Sequence, residues 1–241
     1  MSTLPTINPG EVFAGAWRIY REQFRVLIPT ALAVFAVEAV LSAVLSDALT
    51  FIASLVALIA TAFYQGMVVE LVRDVQDGRR DSSVGELFRS VAPVVVRLAV
   101  VSLLFGLAVG LGFVLLIVPG LILMTIWAVV APVMVIERPG VFAAFGRSRA
   151  LVRGQGVPVF GVVIVVLLLS LLIGVIAVVL TSPLGLAGTA AVLWVANALV
   201  EPFTALAAAV LYFMLVVRKD RWEGEPVEHE AASGWLPPTS G

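Results

Sequence analysis

Four acidic residues lie within or at the ends of long apolar segments of the kind that cross a bilayer: Glu38, Glu70, Glu137 and Glu201. Glu70 and Glu137 each have an arginine close by, Arg73 and Arg138, which predicts ion pairs at the membrane interface. Counted from the basic ends of their segments, Glu38 and Glu201 are predicted to lie in the middle or outer half of the hydrocarbon. An acid at that depth costs about 3 kcal/mol on insertion scales unless it is protonated or paired.

Both of these deep glutamates have polar residues at helical spacing. Asn197, Glu201 and Thr204 follow an i, i+4, i+7 pattern, and Glu38 is followed by serines at i+4 and i+8. Gln65 belongs to a weaker polar stripe on the second apolar segment. The predicted intramembrane polar cluster is Glu38, Gln65, Asn197 and Glu201. Two interpretations stay open, namely hydrogen bonds that pack the helices together and a pocket for a ligand or ion.

A second group of residues that could bind a ligand is mainly basic: Arg147, Ser148, Arg149 and Arg153. Arg149 and Arg153 are one helical turn apart and therefore share a face. Arginine pairs bind phosphate in a forked geometry, which makes this group a candidate site for an anionic lipid headgroup. The alternative is that these charges attract anionic lipid only in a general way.

The composition removes several chemistries. The chain has no cysteine, so disulfides, thiolate metal sites and cysteine nucleophiles are absent, and its only histidine is His229, in a polar tail. No metal site, cofactor or catalytic residue is predicted. The net charge of −1, from 15 basic and 16 acidic residues, gives no basic excess of the kind that binds nucleic acid.

Membrane-spanning helices must position these residues. Of the 241 residues, 61% are apolar and 13% are charged, whereas a soluble domain is about 45–50% apolar. Because each crossing needs roughly 20 apolar residues, the sequence predicts an all-α integral membrane protein with six transmembrane helices. The predicted spans are Val26–Ser46, Ala48–Val72, Pro93–Val118, Pro119–Ile136, Val157–Leu180 and Thr189–Val217. The fourth is short, so a tilted or re-entrant segment stays open there, after a predicted turn at Val118-Pro119-Gly120.

The distribution of basic residues predicts the orientation. All 15 fall in four groups, within 18–25, 73–97, 138–153 and 218–221, and a six-span layout puts every group on the same side. The positive-inside rule then places both termini in the cytoplasm of a bacterium, with the spans in the cytoplasmic (inner) membrane. We expect residues 1–9 to form an N-terminal cytoplasmic segment, residues 10–221 the membrane domain, and residues 222–241 a disordered acidic cytoplasmic tail.

Three short segments resemble one another: Asn8–Phe13, Ser83–Phe88 and Arg138–Phe142. The first two have a small polar residue followed three positions later by Glu, which is a helix-capping pattern. Each segment opens a basic stretch that leads into a span starting near a proline. The sequence therefore predicts three degenerate repeats, each an interfacial helix followed by a two-span hairpin.

The first of these interfacial helices is predicted to be amphipathic. Its aromatic residues Phe13, Trp17, Tyr20 and Phe24 fall on one side, and its arginines cluster on another. This pattern predicts a helix in the membrane plane, with aromatic rings among the acyl chains and arginines among the headgroups. A plain anchor and a regulated lipid sensor are both compatible with it.

A small-xxx-small motif, Gly106 to Gly110, lies in the third predicted span. Motifs of this kind allow two helix backbones to approach closely. Within one six-span chain the motif predicts packing against a neighbouring span, and a dimer contact is the alternative.

Residues 137–154 carry a more specific pattern: Glu137, then Arg147-Ser148, then Leu151 and Gly154, after Pro119-Gly120 in the fourth span. This pattern resembles the membrane domain found beside glycerophosphoryl diester phosphodiesterase catalytic domains and its stand-alone bacterial relatives. The last span of that family ends in Tyr and a basic cluster, as Tyr212 and Arg218-Lys219 do here. The resemblance covers roughly residues 10–224 and implies a membrane architecture. It does not imply hydrolysis, because the catalytic domain is a separate soluble, metal-binding domain that this chain does not contain.

Three functions compete. The first is a non-catalytic membrane module that binds lipid, with anionic headgroups as expected ligands, or organises partner membrane proteins or further copies of itself. The second is a transporter or lipid-translocating protein that uses a polar cavity at Glu38 and Glu201; the repeats are parallel, whereas inverted repeats are typical of transporters. The third is an intramembrane enzyme, which would have to work with Glu and Ser alone. The first is the function that we predict.

Overall fold

A computed structural model describes residues 7–44, 50–78, 84–181 and 185–223 of the chain. Within these ranges the chain is helical apart from short turns, and no residue of them forms a β-strand. The helices are α1 (Pro9–Glu22), α2 (Phe24–Val44), α3 (Thr50–Gln76), α4 (Val84–Val91), α5 (Val95–Leu115), α6 (Ile117–Ile126), α7 (Val130–Ile136), α8 (Val141–Val152), α9 (Gly156–Thr181) and α10 (Gly185–Glu223). Of the predicted acidic tail, 222–241, the first two residues belong to α10 and residues 224–241 lie outside the described residues.

The long apolar helices identify the chain as an integral membrane protein. Five segments are long and apolar enough to cross a bilayer: Ser54–Gln76, Val95–Leu115, Ile117–Ile136, Gly156–Val179 and Ala191–Lys219. The sixth predicted span corresponds to α2, which has 21 residues and a shorter apolar stretch, Phe24–Val37, among its described side chains. The predicted all-α membrane fold is confirmed.

The order of the elements repeats three times along the chain. α1, α4 and α8 each precede two apolar segments, namely α2 and α3, then α5 and the α6–α7 segment, then α9 and α10. Asn8 caps α1, because its Oδ1 atom accepts a hydrogen bond from the Gly10 backbone N–H at 2.9 Å. The predicted unit, a short helix followed by a hairpin, is therefore present in each third of the fold.

α5 and α6 form a hairpin with a very short connection. Leu116 alone separates the two helices, in an extended conformation with φ −163° and ψ 150°. The backbones meet at two glycines, since a Cβ atom on Gly112 would lie 2.9 Å from the Gly120 Cα atom. The predicted turn at Val118-Pro119-Gly120 is wrong. Pro119 instead lies in the first turn of α6, where its missing N–H removes no helical hydrogen bond.

The fourth span is interrupted in its middle. α6 ends at Ile126, a turn follows over residues 127–129, and α7 begins at Val130. The Val130 N–H bonds to the Trp127 carbonyl oxygen and not to that of Ile126. Pro132 has no N–H for the turn and its ring crowds the preceding carbonyl groups, which accounts for the interruption. The fourth predicted span is thus a pair of short helices, α6 and α7, separated by a turn.

α3 and α10 lie at the centre of the bundle and contact helices from all three repeats. Their largest fully buried side chains are Tyr64, Val68, Val69, Val72, Leu206, Leu211 and Leu215. Gly66 lets α4 approach α3 closely, because a Cβ atom there would lie 2.6 Å from a Val91 methyl group. α5 and α9, by contrast, expose most of their apolar surface on the outside of the bundle, which suits contact with lipid.

The small-xxx-small motif lies on the outer face of α5. Gly106 and Gly110 are exposed, and a Cβ atom on either would have no atom within 4 Å. The neighbouring Leu107 and Leu111 are each 61% exposed. The prediction that this motif packs against another span of the same chain is therefore wrong.

The close α5–α6 contact leads to a stability prediction. Gly112→Val should destabilise the protein by about 1–3 kcal/mol, because the new side chain must displace the Gly120 backbone. The midpoint of thermal unfolding in detergent, followed by circular dichroism, should fall accordingly. Gly110→Val is the matched control, since it adds the same side chain to an open helix face and should leave the midpoint unchanged. Equal midpoints for the two variants would contradict the packing described.

Candidate functional site

The Ser148 hydroxyl donates a hydrogen bond to a backbone carbonyl in the interrupted fourth span. Ser148 is fully buried, and its Oγ atom donates a hydrogen bond to the Ile126 carbonyl oxygen at 3.1 Å. This carbonyl is the one that the Val130 N–H would reach in an unbroken helix. A buried carbonyl without a donor costs roughly 1–3 kcal/mol, and no water is available in lipid to replace it. Ser148 therefore fastens α8 to the fourth span and does not face lipid headgroups.

Glu137, which follows α7, binds side chains from two other helices. The Arg147 Nε atom lies 3.0 and 2.8 Å from its two carboxylate oxygens, and the Tyr212 hydroxyl donates to Oε1 at 3.0 Å. Arg147 belongs to α8 and Tyr212 to α10, so one carboxylate joins three elements. Arg147, like Ser148, thus makes a contact within the protein.

Glu70 joins further elements near the same end of the bundle. Its side chain is 7% exposed, and its carboxylate oxygens lie 3.6 Å from a guanidinium nitrogen of Arg73 and 3.6 Å from one of Arg138. Arg138 also donates to the Ser90 carbonyl oxygen at 3.4 Å and so bridges α3 and α4. The predicted pairing of Glu137 with Arg138 is wrong, because Glu137 binds Arg147 and Arg138 binds Glu70.

The backbone of Arg138 is strained. Its φ of 52° lies in the left-handed region, which costs a non-glycine residue roughly 1–2 kcal/mol. This conformation stops α7 and directs the chain through Pro139 into α8. The contacts of the Arg138 side chain with α3 and α4 help to hold it.

The exposed side of α8 carries the rest of the predicted basic group. Phe142 is 82% exposed, and Arg149, two helical turns later, is exposed on the same side. Arg153, at the C-cap of α8, is exposed as well. Among the described residues, no carboxylate forms an ion pair with either arginine. We call Phe142, Arg149 and Arg153 the outer face of α8.

Glu201 and Gln65 form a hydrogen-bonded pair between α10 and α3. The Gln65 Nε2 atom donates to Glu201 Oε1 at 2.7 Å. The Thr204 hydroxyl lies 3.5 Å from Glu201 Oε2 and 2.9 Å from the Glu201 backbone carbonyl oxygen. The carboxyl is partly buried, so an amide donor and a hydroxyl replace part of its hydration. Two residues of the predicted polar cluster are in contact.

The other two residues of that cluster are placed differently. Asn197 is exposed on α10, so the structure does not place it in the interior. The Glu38 side chain lies outside the described residues. Its backbone belongs to α2, three residues after Phe35, whose ring centroid is 5.8 Å from that of Tyr64. The pairing of Glu38 with Glu201 stays a prediction.

α1 packs against α10 close to Glu201. The rings of Phe13, Trp17 and Tyr20 surround Phe203, with centroid distances of 6.2, 6.5 and 6.3 Å. Trp17 is 53% exposed, whereas Tyr20 is buried. The prediction that this aromatic side lies among acyl chains is therefore wrong for Phe13 and Tyr20.

Three further side chains make hydrogen bonds that the sequence patterns do not single out. The Tyr20 hydroxyl donates to the Leu199 carbonyl, the Tyr64 hydroxyl to the Leu27 carbonyl, and the Ile7 N–H to the Gln155 side chain, each at 3.1 Å. A buried tyrosine in an apolar helix needs a hydrogen-bond partner, so the sequence could have predicted that these two tyrosines make such bonds. The identity of each partner depends on the tertiary fold.

The described residues contain no group of three or more His, Cys, Asp or Glu side chains placed to hold a metal ion. The functional groups that remain are of two kinds. One is the outer face of α8, which presents positive charge to its surroundings. The other is the Gln65–Glu201 pair, which places a carboxyl that can take up a proton between two central helices.

Comparison with known proteins gives one informative similarity. The chain is 32% identical over 99 residues, 41% of its length, to a UPF0259 membrane protein from Pectobacterium carotovorum. The aligned part covers 39% of that protein, well under half of it. No family model matches the chain, and no solved structure matches it.

The resemblance to the membrane domain of glycerophosphoryl diester phosphodiesterases is therefore wrong. The relative belongs to a differently named group, UPF0259 membrane proteins. The motif residues that suggested the resemblance have structural roles here: Glu137 and Arg147 pair with each other, and Ser148 pairs the Ile126 carbonyl.

Removal of the Ser148 hydroxyl should destabilise the fold. Ser148→Ala leaves the Ile126 carbonyl without its donor, which should cost about 1–3 kcal/mol and lower the thermal midpoint in detergent. Ser90→Ala is the matched control, because the Ser90 hydroxyl bonds, within the described part of the chain, only to the Leu87 carbonyl oxygen of its own helix, at 2.9 Å. This control should change stability by less than about 0.5 kcal/mol. A Ser148→Ala protein as stable as the control would show that the carbonyl has another donor.

Proposed function

We propose that this chain is a non-catalytic polytopic membrane module that binds anionic lipid headgroups on the outer face of α8. The observation that carries the proposal is the division of the basic group. Arg147 and Ser148 are used inside the protein, whereas Arg149 and Arg153 are exposed beside Phe142.

The inner contacts of α8 support this role. Ser148 bonds to the end of α6 and Arg147 to Glu137 at the end of α7, so the helix is fixed at two points. A fixed helix holds its two exposed guanidinium groups in place before a ligand arrives, which reduces the entropy lost on binding. Phe142 offers an apolar contact for the adjacent acyl chain.

The local charge also supports the proposal. No acidic residue occurs between Glu137 and Glu201 in the sequence. Two arginines in this setting meet a phosphodiester with charge-assisted, forked hydrogen bonds and no nearby carboxylate to repel it. The ligand class is therefore an anionic phospholipid.

The proposal places α8 at the cytoplasmic surface of a bacterial inner membrane, with both termini on that side. Ion pairs link Arg73 and Arg138 through Glu70, and Arg147 binds Glu137, the residue next to Arg138. Two of the four basic groups of the sequence thus meet in space. The positive-inside rule assigns such an end to the cytoplasm.

The test is lipid retention. The double variant Arg149→Ala, Arg153→Ala should retain about 30-fold less phosphatidylglycerol through purification, measured by native mass spectrometry, since each arginine contributes about 1 kcal/mol at an anionic surface. Arg149→Lys, Arg153→Lys keeps the charge but removes the forked geometry, and should fall between this variant and the wild type.

The matched control is Arg89→Ala, Arg97→Ala, which removes two exposed arginines from α4 and α5. It should retain lipid almost as the wild type does. Equal losses in the two double-alanine variants would show that charge in general holds the lipid, and unchanged retention in both would show that the arginines only fix topology. Because the chain has no cysteine, a cysteine placed at position 149 can report sidedness with an impermeant maleimide.

The Gln65–Glu201 pair favours a second candidate, a transporter or lipid-translocating protein. Ionisable residues inside membrane domains often line ion or proton pathways, and this carboxyl lies 2.7 Å from an amide that can bond to it in either protonation state. In proteoliposomes with an imposed pH gradient, the wild type should then conduct protons and Glu201→Gln should not. Asn197→Ala, at an exposed position of the same helix, is the control. Equal flux in Glu201→Gln and wild type would exclude this role for the pair.

A further inference from the structure

α10 contains a proline, Pro202, at the point where α1 contacts it. Because Pro202 has no N–H, the Ala198 carbonyl loses its helical donor, and the proline ring crowds this turn. The next carbonyl, that of Leu199, accepts a hydrogen bond from the Tyr20 hydroxyl of α1 at 3.1 Å. A residue of the amphipathic helix thus supplies a hydrogen bond to the turn that the proline weakens.

Tyr20 is held in place for this contact. It is 8% exposed, and its ring centroid lies 5.7 Å from that of Trp17, 5.8 Å from that of Phe24 and 6.3 Å from that of Phe203. Burial raises the pKa of the Tyr20 phenol above its ordinary value. The hydroxyl therefore keeps its proton at neutral pH and remains a donor.

Glu201 lies on the opposite side of the same turn. It precedes Phe203 by two positions, which is about 200° around an α-helix. α1 therefore contacts one side of this turn, through Tyr20 and the aromatic rings. α3 contacts the other, through the bond from Gln65 to Glu201 at 2.7 Å.

α1 is attached near its two ends. At its start, the Ile7 N–H donates to the Gln155 Oε1 atom at 3.1 Å, and at its end Tyr20 binds α10. Gln23 is the one non-helical residue between α1 and α2. The exposed part of α1 includes Trp17, which also touches Phe203, and Arg21, and exposed aromatic and basic side chains of this kind favour a membrane surface.

We infer that α1 is a latch that sets the position of Glu201. While α1 is packed against α10, the Tyr20 hydroxyl donates to the Leu199 carbonyl and the turn at Pro202 keeps its helical shape. Glu201 then remains hydrogen-bonded to Gln65. When α1 leaves α10 for the membrane surface, the Leu199 carbonyl loses the Tyr20 hydroxyl and Phe203 loses its ring contacts with α1. The turn, which already lacks the helical bond from residue 202 to the Ala198 carbonyl, then bends, and Glu201 separates from Gln65. A change in the lipid surface that strengthens its binding of α1 therefore separates the Glu201 carboxyl from Gln65. This inference does not depend on lipid binding by α8.

Carbodiimide labelling of Glu201 tests the latch. N,N′-dicyclohexylcarbodiimide modifies protonated carboxyls in apolar surroundings, and peptide mass spectrometry assigns the modified residue. In proteoliposomes, Tyr20→Phe should raise the labelling rate of Glu201 about fivefold, the factor that corresponds to the loss of one net hydrogen bond. Gln155→Ala loosens the other end of α1 and should raise the rate in the same direction.

Two controls separate the latch from a local disturbance. Tyr212→Phe removes a tyrosine hydroxyl of α10 that donates to Glu137 and should leave Glu201 labelling unchanged. In the Pro202→Ala background, the new N–H restores the helical bond to Ala198, and Tyr20→Phe should then change the rate by less than twofold. A wild-type rate in both Tyr20→Phe and Gln155→Ala would overturn the inference. So would a Tyr20→Phe effect that persists fully in the Pro202→Ala background.

Discussion

A backbone carbonyl inside a bilayer must have a hydrogen-bond donor, because lipid offers none. The apolar segments contain prolines that remove helical donors: Pro29 in α2 and, further along the chain, Pro132 in α7 and Pro202 in α10. The last two each meet an amphipathic helix. In each case a hydroxyl from an amphipathic helix bonds to a carbonyl of the disturbed turn, Ser148 from α8 and Tyr20 from α1. The amphipathic helices are therefore integral parts of the bundle as well as surface elements, and the two prolines account for where they dock.

Three carboxyls, of which Glu70 is buried, Glu201 partly buried and Glu137 exposed, supply the second set of specific contacts. Glu70, Glu137 and Glu201 each bind a side chain from another part of the chain. Apolar surfaces alone select weakly between helix partners in a membrane, since lipid tails are as apolar as leucine. A carboxyl in a medium of low dielectric constant binds its partner more strongly and costs more when unpaired. These three residues thus favour one arrangement of the helices over others with similar apolar burial.

The sequence predicts the fold well, because span length, charge distribution and repeated segments follow directly from the order of residues. It predicts the site less well. Helical spacing groups Asn197 with Glu201, but Asn197 is exposed, as are Val195 and Leu199 around it. Spacing assigns residues to a face of a helix, whereas the neighbours of that face depend on tertiary packing. Pro202, about one turn after Asn197, also disturbs the regular helix on which the spacing argument depends. Among the ion pairs, nearness in sequence correctly predicted Arg73 as a partner of Glu70, but it predicted Arg138 and not Arg147 as the partner of Glu137.

The turn between α5 and α6 bears on how this hairpin enters the membrane. Leu115, Leu116, Ile117 and Val118 are 65–68% exposed at its tip, and no charged residue occurs between Arg97 and Glu137 in the sequence. A tip made only of large apolar side chains is more favourable in acyl chains than in water. Both helices can therefore be inserted together from the side where their basic flanks remain, with no charge carried through the hydrocarbon. The tight glycine contact at Gly112 and Gly120 lets the hairpin assume this shape with a single connecting residue. Biogenesis of this third of the bundle thus requires no transfer of a hydrophilic loop across the bilayer.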